Sequence, residues 1–328
     1  MDVALPLIGG LLLLALGGEL FVRGAVQIAE RLGVSPLLIG LTLVGFGTST
    51  PELVTSVQAS LAGSPGIAVG NIVGSNIANT LVILGLSALL VPITVGRGAL
   101  LRDGTIVLGV ALALAAVAVF GTLDRAVGSA FLLGLVAYIV YAWRQERRAG
   151  SGDHTAAFEK AQAYEETHPR RQPSPKPGGA RAWAMASGLA ATGLVLVVIG
   201  GGLLVESAVA LARGMGVSEA VIGLTIVAVG TSLPELVTSL VAAYRRHADV
   251  ALGNVLGSNI YNILGIGGMT ALIAPTTIPA EIVRLDVWVM VAASALLLLV
   301  GRSGWRVGRR EGAALLAGYV LYVWWIWP

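Results

Sequence analysis

Residues 40–85 read GLTLVGFGTSTPELVTSVQASLAGSPGIAVGNIVGSNIANTLVILG, and residues 223–268 read GLTIVAVGTSLPELVTSLVAAYRRHADVALGNVLGSNIYNILGIGG. Laid on each other at an offset of 183 residues, without a gap, they are identical at roughly 25 of 46 positions. So long a self-match in one register marks a duplicated core. In each copy an apolar run is interrupted by Gly-Thr-Ser-x-Pro-Glu, Gly47 to Glu52 in the first and Gly230 to Glu235 in the second. Proline has no N–H for the carbonyl one turn earlier and clashes with it, so both stretches predict a helix broken near its middle. The break would free carbonyls near Gly45, Phe46, Ala228 and Val229. Backbone unwound at membrane depth is tolerated only where it lines protein or a polar cavity.

Composition says where these helices lie. Of 328 residues, 56% are hydrophobic and 12% charged, with a mean hydropathy of +0.85. Soluble domains carry about 25% charged residues, so the chain reads as a polytopic membrane protein. The absence of cysteine excludes disulfides, thiolate metal sites and a Cys nucleophile, and three histidines leave little for a zinc or haem ligand set. A net charge of +3 could suggest a nucleic-acid partner, but that needs a basic patch on a folded domain, and membrane topology explains the basic residues better.

Apolar stretches predict ten spans, near residues 3–29, 36–62, 66–90, 101–121 and 126–144, then 182–212, 218–243, 249–274, 283–301 and 307–327. The expected organisation is a five-helix repeat over 1–144, a cytoplasmic linker over 145–181, and a second five-helix repeat over 182–328. Five is odd, so the second repeat enters the membrane inverted. The fold class is therefore all-α, with two inverted-topology repeats and broken helices meeting at the midplane, where such repeats place their substrate site. The linker is polar and contains Pro, Gly and Ser. It is too short for a folded regulatory domain, and its segment AAFEKAQAYEE is read as at most a short helix without a function.

Seventeen of the 21 Lys and Arg residues fall on the linker's side of these spans and three, Arg125, Arg213 and Arg284, on the other. The positive-inside rule then puts both termini outside and the linker in the cytoplasm, in a plasma or bacterial inner membrane. The first span reads as a membrane helix, since its apolar stretch is too long for a signal peptide and no basic segment precedes it. Arg23 lies within it and is expected to pair with Glu19 one turn earlier.

The candidate site follows from what the membrane penalises. A carboxylate at helix centre raises the insertion free energy by roughly 3 kcal/mol, and Glu52 and Glu235 occupy symmetry-related positions there. The competing readings are a protonated structural glutamate and a proton relay. A relay does not need the hydroxyls that surround these two. Around them the motifs gather hydroxyls of Thr48, Ser49, Thr231 and Ser232. The following helices add Ser75 and Asn79, one turn apart, and likewise Ser258 and Asn262, with Gly74 and Gly257 read as a second interruption. All these ligands are oxygen, the set a hard cation requires, and Ca2+ accepts six to eight in flexible geometry. Asn71, Asn76, Asn254 and Asn259 are assigned to helix-to-helix hydrogen bonds ahead of ion contact, and Thr55, Ser56, Thr238 and Ser239 to polar packing.

These strings resemble the cation/Ca2+ exchanger superfamily, whose repeats carry a G-T-S-x-P-E core and a G-N-x-x-G-S-N-x-x-N/D core, and look most like its prokaryotic Na+/Ca2+ branch. The resemblance covers nearly the whole chain. It implies a central Ca2+ position flanked by Na+ positions, surrounded by Thr48, Ser49, Glu52, Ser75 and Asn79 with Thr231, Ser232, Glu235, Ser258 and Asn262, and by backbone carbonyls of Gly45 and Ala228. It also implies that the first and sixth helices slide across a bundle of the other eight. Asn262 stands where several microbial members and the K+-dependent exchangers have Asp, which argues against K+ co-transport. The cation/proton branch typically has G-N-x-x-E in these helices, so Na+ is favoured over H+.

The expected function is secondary antiport, Na+ influx driving Ca2+ out, with Ca2+ and Na+ as transported ions and no cofactor. The lipid bilayer is the expected partner, with no nucleic acid and no obligatory protein. The alternatives are a cation/H+ antiporter on the same scaffold and, less favoured, a channel. An enzyme is not expected, for want of a His or Cys nucleophile and base.

Overall fold

A computed structural model describes residues 3–148, 154–167, 179–245, 247–302 and 304–328. The protein is an all-α multi-pass membrane protein. Among the described residues, seven helices are long and apolar enough to cross a bilayer unbroken: Ala4–Arg31, Pro65–Leu90, Arg97–Val119, Arg125–Arg147, Ala180–Met215, Val250–Ile273 and Ile282–Arg302. Two further spans are bent pairs, Pro36–Gly47 with Thr50–Leu61 at 46°, and Glu219–Thr231 with Leu233–Tyr244 at 48°. Arg309–Ile326, whose first turn carries Glu311, supplies the tenth helix.

Small elements recur at the same 183-residue offset. Ser35 and Ser218 each cap a helix by accepting from the backbone N–H three residues on, at 3.3 Å in both. Gly33 and Gly216, at φ 75° and 67°, end the first and sixth helices in the left-handed conformation that glycine adopts without strain. Thr42 and Thr225 donate to the carbonyls of Leu38 and Val221 at 2.6 Å, the back-bond to the preceding turn that tends to bend a helix. Each threonine lies in a widened π turn, Gly40–Val44 or Gly223–Val227, immediately before the break. Among the described residues, two short strand pairs tie the repeats together. Ile93–Thr94 pairs antiparallel with Arg306–Val307, and Thr122–Leu123 with Thr276–Thr277.

The first and sixth helices pack on each other through glycines. A Cβ on Gly17 would stand 2.7 Å from Val197 N and 2.8 Å from Gly193 O, and one on Gly10 2.9 Å from Gly200 O. Backbone thus meets backbone, the small-residue packing that lets membrane helices approach closely. Arg23 pairs with Glu19, as expected from the i, i+4 spacing.

The linker departs from expectation. Residues 156–167 do form a helix, Ala156–Thr167, but it is no surface segment: Ala156, Ala157, Glu159, Lys160, Ala161, Ala163 and Tyr164 are all buried. It lies against the first halves of the second and eighth spans and the second half of the seventh.

Candidate ion-binding site

The breaks place the carboxylates. Each second half-helix starts just before a proline, with Thr50-Pro51-Glu52 and Leu233-Pro234-Glu235 as its first turn. Proline is favoured there because the first N–H groups of a helix have no internal acceptor. A glutamate in that turn is favoured by the positive end of the helix dipole. Both are buried, Glu52 at 1% and Glu235 at 2% exposure. Hydroxyls of the opposite repeat hold them: Ser49 Oγ donates to Glu235 Oε1 at 3.0 Å, and Ser232 Oγ to Glu52 Oε1 at 3.1 Å.

Asparagines brace the half-helices. Asn71 Nδ2 donates to Glu52 O at 3.1 Å and Ser56 Oγ at 2.9 Å. Asn254 Nδ2 lies 3.2 Å from Glu235 O, 3.0 Å from Thr238 Oγ1 and 2.8 Å from Ser239 Oγ. Asn259 Nδ2 donates to Thr80 Oγ1 at 2.9 Å while its Oδ1 accepts from Asn79 Nδ2 at 3.2 Å. These three bond between helices as expected. Asn76 instead donates to Ile72 O of its own helix at 2.7 Å. Thr231 Oγ1 donates to Asn71 Oδ1 at 3.0 Å, and Ser75 Oγ lies 3.5 Å from both Asn71 Oδ1 and Ala228 O.

Several buried oxygens of the motifs make no hydrogen bond among the described residues: Glu52 Oε2, Glu235 Oε2, Thr48 Oγ1, Asn79 Oδ1 and Asn262 Oδ1. Buried polar atoms are normally satisfied, because an unmade hydrogen bond costs the full desolvation of the group. Here the unsatisfied set is all oxygen and includes both carboxylates, the donor chemistry of a hard cation. Beside Thr48, Pro51 and Pro234 lies a cavity of about 250 Å3, bounded by Gly18 and Glu19 of the first helix and by Tyr164 of the linker helix.

Residues 3–144 and 185–327 match the profile of the sodium/calcium exchanger protein family. The chain belongs to that family. Among similar proteins, the sodium/calcium exchanger MaX1 of Methanosarcina acetivorans is 36% identical over 362 residues, covering 97% of each chain. Inner membrane protein YrbG of Escherichia coli is 36% identical over 330 residues, covering 98% of this chain and 97% of YrbG. Among solved structures, the sodium-calcium exchanger NCX_Mj soaked with 10 mM Na+ and no Ca2+ matches with a TM-score of 0.62 and 33% identity, over 98% of this chain and 97% of that one. Cation/Ca2+ exchange is thus the activity class of the family, whose members are transporters and not enzymes.

In this exchanger-family fold two expectations need correction. Gly74 and Gly257 do not interrupt their helices, which run through both positions and widen into π turns only at Asn79–Ile83 and Tyr261–Gly267. They are glycines for contact: a Cβ on Gly74 would stand 2.5 Å from Leu224 O, and one on Gly257 2.9 Å from Ala156 O. The two carbonyls credited to the breaks also differ. Ser49 N donates to Phe46 O at 3.2 Å, so Gly45 O loses its usual helical donor and Phe46 O is engaged. Ala228 O still takes Ser232 N at 3.1 Å.

The exchanger's linker helix brings a residue that sequence reasoning placed among the topology-setting charges. Lys160 is fully buried, with Nζ 3.4 Å from Glu235 Oε1 and 2.5 Å from Ser258 Oγ. One turn on, Tyr164 donates to Glu19 Oε2 at 3.1 Å. Burial, with the Glu19 carboxylate alongside, raises the pKa of the Tyr164 hydroxyl, so it remains a proton donor. The available signal was a lone lysine in an alanine-rich segment whose small residues recur on one helical face.

Proposed function

We propose that the protein exchanges Na+ for Ca2+ by alternating access, Na+ influx driving Ca2+ out, at a midplane site built around Glu52 and Glu235. The observation that carries this reading is the buried, cross-repeat set of oxygens around two carboxylates, one oxygen of each carboxylate being held by a serine of the opposite repeat. Two carboxylates balance the charge of one Ca2+. Na+ binds the same oxygens with half the charge, so occupancy by one ion excludes the other and couples their fluxes.

The ligand set we assign is Glu52 and Glu235, the hydroxyls of Thr48, Ser49, Ser75, Thr231, Ser232 and Ser258, the amide oxygens of Asn79 and Asn262, the Gly45 carbonyl, and the Ala228 carbonyl through the lone pair that its bond from Ser232 N leaves. Asn79 and Asn262 each offer an Oδ1 without a donor. Asn262 adds no third charge, which argues against K+ being co-transported with Ca2+. Both termini are assigned outside and the linker to the cytoplasm, from the excess of Lys and Arg on the linker's side. The strand pairs support the alternation of loops, because each joins two loops assigned to one face. The glycine-packed first and sixth helices are the moving pair.

The test is 45Ca2+ flux in proteoliposomes with Na+, K+ and pH gradients imposed separately. Saturable Ca2+ uptake driven by an outward Na+ gradient is expected. Uptake that follows a pH gradient and ignores Na+ would assign the protein to cation/H+ antiport, and non-saturating flux without a counter-ion would make it a channel.

A further inference from the structure

We propose that the linker helix Ala156–Thr167 is a tethered plug whose Lys160 ammonium takes the place of the transported cation, closing the site from the linker side until the helix leaves. The proposal rests on the exchange reading of the same site.

The repeat symmetry is broken where the linker helix lies. On the side away from the linker, the third helix packs directly on the first half of the seventh: a Cβ on Gly70 would stand 3.0 Å from both Ala220 O and Leu224 N. Their counterparts 183 residues away are Gly253 on the eighth helix and Leu37 and Leu41 on the second. That contact is not repeated. A Cβ on Gly253 would run into the Glu159 side chain, one on Gly257 would stand 3.1 Å from Lys160 Cβ, and one on Gly40 3.1 Å from Ala161 Cβ. The linker helix fills the gap that direct packing closes in the other half.

The linker helix is anchored at both ends. At its N-terminus, Glu146 Oε1 accepts from Thr155 N at 2.6 Å and Thr155 Oγ1 at 2.8 Å. Asp103 Oδ2 accepts from Ala156 N at 3.0 Å, and Tyr138 Oη from Ala157 N at 3.2 Å. Two carboxylates thus meet the unpaired N–H groups and positive dipole end of this helix. Towards the C-terminus, Tyr164 bonds to Glu19 and His247 pairs with Glu166. Four separate parts of the transporter hold one short helix.

Lys160 also matches a bound cation chemically. An ammonium carries a unit charge and three donors, and needs carboxylate and hydroxyl oxygens much as a bound cation does. Lys160 finds them on Glu235 and Ser258, two of the oxygens assigned to the ion. Ca2+ at the same carboxylate and the ammonium repel one another, so Ca2+ arriving from the linker side must expel the lysine. Transport then begins only above a threshold of Ca2+ on that side.

The experiment uses the full-length protein. A plug docked nine-tenths of the time weakens apparent affinity about tenfold, so Lys160→Gln is expected to bind 45Ca2+ roughly tenfold tighter than wild type. Because the chain has no cysteine, Ala163→Cys gives a single reporter on the buried face of the plug. Its reaction with a soluble maleimide is expected to be slow without Ca2+, and faster with saturating Ca2+ or when Glu146→Ala removes the N-terminal cap. Wild-type or weaker Ca2+ affinity in Lys160→Gln, while Glu235→Gln abolishes binding, would overturn the plug and leave the site standing. Rapid labelling of Ala163→Cys without Ca2+ would overturn the plug as well. Undiminished binding in Glu52→Gln with Glu235→Gln would instead overturn the site.

Discussion

Ser49 Oγ lies 3.0 Å from Glu235 Oε1, so a hydroxyl in the break of one repeat positions the carboxylate of the other. Ser232 does the same for Glu52 at 3.1 Å. Hydrogen bonds to charged groups contribute about 1.5–3 kcal/mol. Ser49→Ala and Ser232→Ala are each expected to weaken equilibrium 45Ca2+ binding about tenfold or more. Ser49→Ala combined with Glu235→Gln should be far from additive in a double-mutant cycle. Simple additivity would separate the serine from the carboxylate.

Neutralising either glutamate leaves one charge facing a divalent ion. Glu52→Gln and Glu235→Gln should each reduce Na+-driven 45Ca2+ flux by about a hundredfold or more, the loss of one charge pair at short range in a partly screened interior. Monodisperse elution of the purified variant checks that the loss is local. Flux within threefold of wild type in either would remove that glutamate from the site.

The asparagines differ in what they hold. Asn254 joins the eighth helix to Glu235 O, Thr238 and Ser239, whereas Asn76 donates only to Ile72 of its own helix. Asn254→Ala should cost about 1–3 kcal/mol through the acceptors left buried, seen as a lower thermal unfolding midpoint in detergent. Asn76→Ala should shift it much less. The reverse order would contradict the bracing role.

Gly17 meets the sixth helix at backbone distance. Gly17→Leu should force the pair apart, lowering the thermal midpoint by several degrees and abolishing exchange, through overpacking worth about 1–3 kcal/mol. Gly9, with nothing within 4 Å of a Cβ there, should accept Ala without loss of flux. Equal tolerance at both positions would show that the close approach is dispensable.

What the sequence made legible was whatever the duplication repeats. The bends at Pro51 and Pro234, the burial of Glu52 and Glu235 and the bracing by Asn71, Asn254 and Asn259 all follow from residue types whose constraints act locally. Two features were not legible, because each depends on a neighbour distant in the chain. Gly74 and Gly257 read as weak points in a helix, but their lack of a side chain serves contact with Leu224 in one case and with Ala156 and Lys160 in the other. Lys160 read as one basic residue among many in a polar linker. A segment outside the repeat has no symmetry partner to single it out, and its meaning comes from the second, seventh and eighth spans it packs against.

The strand pairs also speak to origin. Ile93–Thr94 is the repeat counterpart of Thr276–Thr277, so each pair joins a strand of one half to a strand of the other. The serine–carboxylate bonds cross between halves in the same reciprocal way. Cut the chain within the linker and the remaining contacts describe a two-fold dimer of one five-helix protein inserted in both orientations. The linker helix Ala156–Thr167 has no counterpart in either half, so it is the one described segment that this two-fold relation leaves unconstrained.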